Sequence, residues 1–274
     1  MIDHLQRLID GAPREELKER LAREYLQARM LQGFQDDGVF TRWAFVGGTA
    51  LRFLYSIPRF SEDLDFLALT PAQDRNAGFR AALLRAQSVF EAEGYEVGVK
   101  VKKRAGAVES AFVRFAGLPY QVGLSPHPSQ VLSIKVEVDT NPPAGAVTET
   151  TLVRRHVTLN IHHHDKASLL AGKMHALLSR GWAKGRDVYD IIWYLADRDW
   201  PPPNLALLNA ALSQTGWEGK LPITERNWST VLRDHLLPLD WDEVKADALP
   251  FLERDGDVDT LSAATVDGLL RSRS

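Results

Sequence analysis

The chain has 274 residues, no cysteine and a formal net charge of −3, with 45% hydrophobic and 25% charged residues. These values describe a folded chain of one large or two ordinary domains, and they exclude disulfides, thiolate metal sites and an overall positive field for nucleic acid. No apolar run reaches the roughly 18 to 20 residues that span a bilayer, and Met1-Ile2-Asp3-His4 lacks the basic-then-apolar order of a signal peptide, so a cytoplasmic protein is expected.

In chain order, Leu17, Leu21, Tyr25, Leu26 and Met30 recur at helical spacing, and Pro13 stands where a helix start tolerates it; the spacing predicts a helix over 13–33. Trp43-Ala44-Phe45-Val46 reads as a strand that runs into Gly47-Gly48, and Thr49 to Tyr55 as the helix after it. Asp63 to Leu69 alternates charged and apolar residues, the pattern of a half-buried strand. A helix over Phe79 to Glu93 ends at Gly94, and strand candidates follow at 95–103, 110–115 and 120–124. Val131 to Asp139 is the clearest strand, closed by Asn141-Pro142-Pro143. Beyond residue 160 the texture is helical, with runs at 166–180, 186–197, 204–215 and 224–237 and a stop at Pro201-Pro202-Pro203. The expected architecture is α+β: a mixed sheet flanked by helices in residues 1–160, then a mainly helical domain in 161–274.

Asp63 and Asp65 are two apart in a strand, so both carboxylates leave the same face while Leu64 and Phe66 leave the other. Two such acids repel unless a cation lies between them, and paired divalent ions are the common answer in phosphoryl-transfer sites. Gly47-Gly48 opens a helix, where backbone N–H groups stabilise a phosphate and glycine allows close approach; Thr49 adds a hydroxyl. A lone Asp-x-Asp is usually a solvated strand face and a lone Gly-Gly usually a turn. The ordered set with Arg59 and Ser61 is far more specific. On the 131–139 strand, Lys135, Glu137 and Asp139 share one face by parity, and either acid can complete the set. Glu137 is favoured because Asp139 stands at the Asn-Pro-Pro bend.

Phe45-Val46-Gly47-Gly48-Thr49-Ala50-Leu51-Arg52 and Arg59-Phe60-Ser61-Glu62-Asp63-Leu64-Asp65-Phe66 resemble the AbiEii/AbiGii toxin family of nucleotidyltransferases, which includes the MenT toxins and belongs to the DNA-polymerase-β-like superfamily. Lys135 to Pro143 is similar to the family's central strand, and Lys173 to Arg180 with Arg186-Asp187-Val188-Tyr189-Asp190 to its C-terminal Lys and Asp motifs. The resemblance implies the nucleotidyltransferase fold and NMP transfer from an NTP to an acceptor hydroxyl, the 3′ end of tRNA in the first instance. It implies two Mg²⁺ ions (Mn²⁺ as a substitute) on Asp63, Asp65 and Glu137 or Asp139, and catalysis by Asp63, Asp65, Glu137, Lys173 and Asp187. Nucleotide contacts are expected from Gly47, Gly48, Thr49, Arg59, Ser61 and Lys173. A cognate antitoxin protein is the implied partner, and Ser61 matches a serine that is phosphorylated in some relatives. An antibiotic- or protein-modifying enzyme of the same fold, or an inactive nucleotide-binding relative, are the rival readings. Lys100, Lys102, Lys103 and Arg104, with Arg154-Arg155, are the basic patches open to an RNA backbone. His162-His163-His164 is expected to hold no metal, since strand neighbours point to opposite faces, and Asp165 to cap the next helix.

Overall fold

The computed structural model describes residues 2–69, 75–103, 106–219 and 222–273, with the side chains of 75–77 left out. Arg104 of the expected basic patch lies outside the described residues. The elements in order are α1 (Ile2–Asp10), α2 (Lys18–Asp36), β1 (Trp43–Val46), α3 (Gly47–Tyr55), β2 (Asp63–Ala68), α4 (Arg75–Ala92), β3 (Val97–Val101), β4 (Val108–Ala116), α5 (Leu118–Gln121), β5 (Val131–Asp139), β6 (Thr148–Arg155) and β7 (Val157–His164). They continue as α6 (Lys166–Ser179), α7 (Gly185–Ala196), α8 (Leu205–Gln214), α9 (Trp228–Leu236), α10 (Trp241–Ala248) and α11 (Ala263–Arg271). The chain divides into two compact units: Met1–Leu54 with Phe60–Asn141 and Thr150–His163, and Tyr55–Arg59 with Pro142–Glu149 and His164–Ser274.

The first unit is built on a seven-stranded mixed sheet of order β3-β4-β5-β2-β1-β7-β6. β1 pairs antiparallel with β2 and parallel with β7; β2 pairs parallel with β5; β3, β4 and β5 form an antiparallel run. Burial along β2 and β5 alternates residue by residue, so one face of these central strands is apolar and the other carries their charged side chains. Phe66 anchors the apolar face: its ring centroid lies 5.2 Å from Phe45, 5.8 Å from Trp43 and 5.9 Å from Phe34 of α2. Truncating such a buried ring costs about 3–5 kcal/mol, so the cluster fixes the register that places the polar face.

The second unit packs α6 against α7, α8 and α9, and α7 against α10 and α11. Asp165 Oδ1 accepts from the Ser168 N–H at 2.8 Å and starts α6, the cap expected from sequence. At the start of α7, a β-carbon on Gly185 would fall 2.0 Å from the Val244 carbonyl of α10, so only glycine allows this crossing.

Several segments depart from the sequence reading, which also named no element for α1, α10 or α11. The strand expected at 120–124 is the short helix α5 and a turn: Gly117 enters with φ +64°, Pro119 sits in the first helical turn, and Leu124 N–H returns to Pro119 O at 2.7 Å. The helix expected over 13–33 begins with a 3₁₀ turn at Glu15–Leu17 and runs as α2 to Asp36. Strands β6 and β7 had no prediction, because β6 lies at a sheet edge and lacks a regular alternation of burial.

Candidate active site

The residues singled out from sequence fall into two groups, one in each unit. In the first, β2 enters the sheet with Leu64 and Phe66 in the core, which leaves Asp63 and Asp65 on the opposite face. The parallel register sets Asp63 across from Lys135, Asp65 across from Glu137 and Leu67 across from Asp139. Lys135 Nζ lies 2.6 Å from Glu137 Oε2. Burial pulls the Lys135 ammonium down, but Glu137, Asp63 and Asp65 more than reverse this and hold it above its ordinary range. One ammonium therefore sits in the field of three carboxylates. Asp139 is occupied differently: its Oδ1 accepts from the Asn141 N–H at 2.8 Å and closes the Asn-Pro-Pro turn.

Gly47 completes this face. It follows β1 with φ +80°, and a β-carbon there would stand 2.6 Å from Asp65 Oδ2. The missing side chain is what lets the Asp65 carboxylate lie against the first turn of α3, where helix N–H groups face outward without intrahelical acceptors. Thr49 is buried and its hydroxyl donates to the Asp63 carbonyl at 2.5 Å, so it ties α3 to β2 rather than facing a ligand. Ser61 is half-buried, and its carbonyl accepts from Gln27 Nε2 at 3.2 Å. Arg52 lies in the interior, 2.6 Å from Glu24 of α2 and 4.5 Å above the Phe60 ring.

The second group joins α6 to α7. Lys173 Nζ is 2.8 Å from Asp187 Oδ1 and 2.7 Å from Asp190 Oδ2. Asp187 Oδ2 also accepts from Arg180 Nη1 at 2.5 Å. Arg59, expected as a nucleotide contact, is 2% exposed, and its Nε and Nη2 donate in parallel to the two oxygens of Asp190 at 2.5 Å each. Burial would discharge Lys173, yet Asp187 and Asp190 hold it above its ordinary range as an ammonium. Burial would likewise raise Asp187, but Lys173 and then Arg180 and Arg59 keep it well below the usual carboxylate range. The set of Arg59, Lys173 and Arg180 against Asp187 and Asp190 carries one positive charge in excess.

Other expectations resolve plainly. Lys100, Lys102 and Lys103 are exposed, with Lys102 Nζ 4.7 Å from the Phe112 ring centroid. Arg155 is not part of an open patch, because its Nη2 donates to Glu24 at 3.1 Å. His162 and His163 bond to Thr150 and Thr151 at 3.1 and 2.9 Å. Among the described residues no three carboxylates or imidazoles converge on one point as a metal cage does. The donors on the β2–β5 face are nonetheless hard carboxylate oxygens at facing register positions. That set suits Mg²⁺ in kind, and Lys135 supplies the positive charge beside them. Sequence reasoning assigned no role to Glu24, Lys135 or Asp190; Lys135 carried a signal in its shared parity with Glu137 and Asp190 in its place one turn after Asp187, whereas nothing local marks Glu24.

No described helix is long and apolar enough to cross a membrane. No curated protein matches the chain. Its fold is similar to two solved structures from Helicobacter pylori. One is JHP933, at 18% identity and a TM-score of 0.50, with 93% of this chain and 91% of the other covered. The second is a protein described as a candidate nucleotidyltransferase, at 19% identity and a TM-score of 0.53, with 92% and 95% covered. Residues 29–267 match the family described as nucleotidyl transferase AbiEii toxin, type IV TA system. The match takes in both groups of charged residues, and the chain belongs to the AbiEii nucleotidyltransferase toxin family of type IV toxin–antitoxin systems.

Proposed function

We propose that the protein transfers a nucleoside monophosphate from an NTP to a hydroxyl at the 3′ end of tRNA, in the cytoplasm, and that this blocks translation unless a cognate antitoxin counters it. The observation that carries the reading is the carboxylate face of β2 and β5: Asp65 and Glu137 in register, Asp63 beside them, and Gly47 cleared of a side chain against Asp65. Asp63, Asp65 and Glu137 are the residues that would hold two Mg²⁺ ions. Bound there, divalent cations neutralise triphosphate charge and polarise the phosphorus under attack. Asp139 is left to the turn that ends β5.

The acceptor oxygen attacks the α-phosphorus, the bond to the bridging oxygen breaks, and pyrophosphate leaves. Glu137 takes the hydroxyl proton on a carboxylate oxygen, and Lys135, hydrogen-bonded to it, fixes that carboxylate in place. The N–H groups of Gly47 and Gly48 at the start of α3 receive phosphate oxygens. Thr49 keeps α3 on β2 through the Asp63 carbonyl. Lys173 is the phosphate-binding cation; Asp187 and Asp190 hold its ammonium, and Arg59 holds Asp190. Ser61 borders the acid strand as a nucleotide contact.

Incubation of the protein with total tRNA and each labelled NTP, followed by sequencing of 3′ ends, tests the reading. Label on tRNA should fall at least about a hundredfold in Asp63→Ala and in Asp65→Ala, since each removes a group acting in the transition state. Unchanged transfer in either variant refutes the carboxylate assignment. Label on protein or on a small acceptor alone refutes tRNA.

A further inference from the structure

The loop between α6 and α7 exposes a tryptophan that has no role in the proposed reaction. Trp182 is 68% exposed, more than any other large hydrophobic residue described. Single exposed apolar residues are common, but an indole is the largest side chain to leave in water, and its surroundings here are unusual. Residues 180–186 read Arg-Gly-Trp-Ala-Lys-Gly-Arg, with three cations and no acid. The loop is also fixed at both ends. Arg180 donates to Asp187 at its start, and Gly185 packs against the Val244 carbonyl at its end, while Arg186 lies 3.9 Å over the Phe251 ring. The indole is thus presented on an anchored loop, with Arg180 two residues before it and Lys184 two residues after.

We infer that Trp182 is a stacking platform for a nucleobase of single-stranded RNA, with Arg180 and Lys184 meeting the phosphates on either side. An exposed aromatic face between cations is how proteins hold single-stranded nucleic acid: the base stacks without sequence readout, and the cations neutralise the backbone. A protein partner would be expected to pair such a loop with acids and to cover more apolar surface than one indole offers. The platform rests on the proposed transfer to RNA and deepens it, by giving the acceptor's unpaired end a place to be held.

The test is binding of a short fluorescein-labelled oligoribonucleotide by anisotropy, without NTP or metal, so that it reads the platform independently of transfer. Stacking of one base predicts that Trp182→Ala weakens binding roughly fivefold to a hundredfold. Trp182→Phe should keep most of the affinity, and Lys184→Ala should flatten the salt dependence. NTP binding measured alone should be unchanged in all three. Equal affinity in wild type and Trp182→Ala overturns the platform, as does loss of NTP binding with RNA binding intact, which would assign the base to the donor nucleotide. Weakening by Phe as severe as by Ala would overturn stacking. Retained RNA binding in a protein that transfers nothing to RNA would leave the platform standing and refute the proposed reaction instead.

Discussion

Gly47→Ala separates backbone strain from damage to the carboxylate face. Gly47 has φ +80°, so an alanine there pays the left-handed cost, about 1–2 kcal/mol. The new β-carbon would also lie 2.6 Å from Asp65 Oδ2, where ordinary contact begins at 3.4 Å, so the carboxylate must retreat by about 0.8 Å. A displacement near 1 Å at a reacting centre can cost on the order of a hundredfold in rate. Gly38 provides the control: it has φ +68°, yet a β-carbon there meets nothing within 4 Å. Urea unfolding should show a loss of about 1–2 kcal/mol for Gly38→Ala and at least that for Gly47→Ala, which adds the overlap with Asp65. Pyrophosphate release under conditions where both are fully folded should fall tenfold to a hundredfold, roughly, for Gly47→Ala and stay near wild type for Gly38→Ala. Equal activity in the two variants, with either both intact or both impaired, would refute the argument that the close approach to Asp65 is what Gly47 supplies.

Three further outcomes follow from the charged groups. Asp190→Asn leaves Arg59 and Lys173 partly uncompensated in a dry setting and should cost about 3–5 kcal/mol in chemical denaturation, whereas Lys173→Met, which leaves each acid an arginine, should cost clearly less. A reversed order would refute the assigned pairing. Burial would raise Glu24, but His156, Arg52 and Arg155 bring it from an ordinary 4.5 to about 2. Its contribution is therefore present above pH 4.5 and lost as pH falls toward 2, about 3 kcal/mol over that window. Unfolding curves from pH 7 to 2 should show Glu24→Gln less stable at pH 7 and flatter on the acid side; parallel curves would exclude Glu24 as the source. Finally, tRNA affinity should fall steeply with salt, and replacing Lys102 and Lys103 by Ala should shallow the slope by about 0.7–0.9 for each phosphate that these lysines neutralise. An unchanged slope would move the RNA away from β3.

Local pattern carried much of this structure, and partners distant in sequence carried the rest. The alternation in Asp63–Ala68 and Val131–Asp139 is a property of consecutive residues, so the polar face of each strand could be read directly. Register is not local, and parity left Glu137 and Asp139 equivalent. The pairing sets Glu137 across from Asp65, while Asp139 accepts from the turn that follows it. Arg59 shows the same limit. Its position just before the acid strand suggested a nucleotide contact, but its partner Asp190 is 131 residues away. Nothing near Arg59 in the sequence announces that pairing. Thr49 reads as a phosphate donor by its place after the diglycine, and only the fold reveals that the Asp63 carbonyl takes its hydroxyl.

The two groups of charges differ in a way that bears on what each can bind. On the β2–β5 face, Asp63, Asp65 and Glu137 outnumber the single ammonium of Lys135, an excess that favours cations. In the α6–α7 group, Arg59, Lys173 and Arg180 outnumber Asp187 and Asp190, an excess that favours anions. Each excess is held by packing: the Phe66 cluster fixes the first, and the bidentate Arg59–Asp190 pair braces the second. Lys173, Asp187 and Asp190 are largely shut from water, so charge in the second group carries a desolvation cost that their mutual pairing offsets only in part. A divalent cation on the first group and a phosphate anion on the second would each reduce the imbalance of the group it meets. The surplus acids of the first group and the surplus cation of the second are therefore better explained by ligand binding than by stability, and Lys173→Met should weaken NTP binding far more than it changes unfolding.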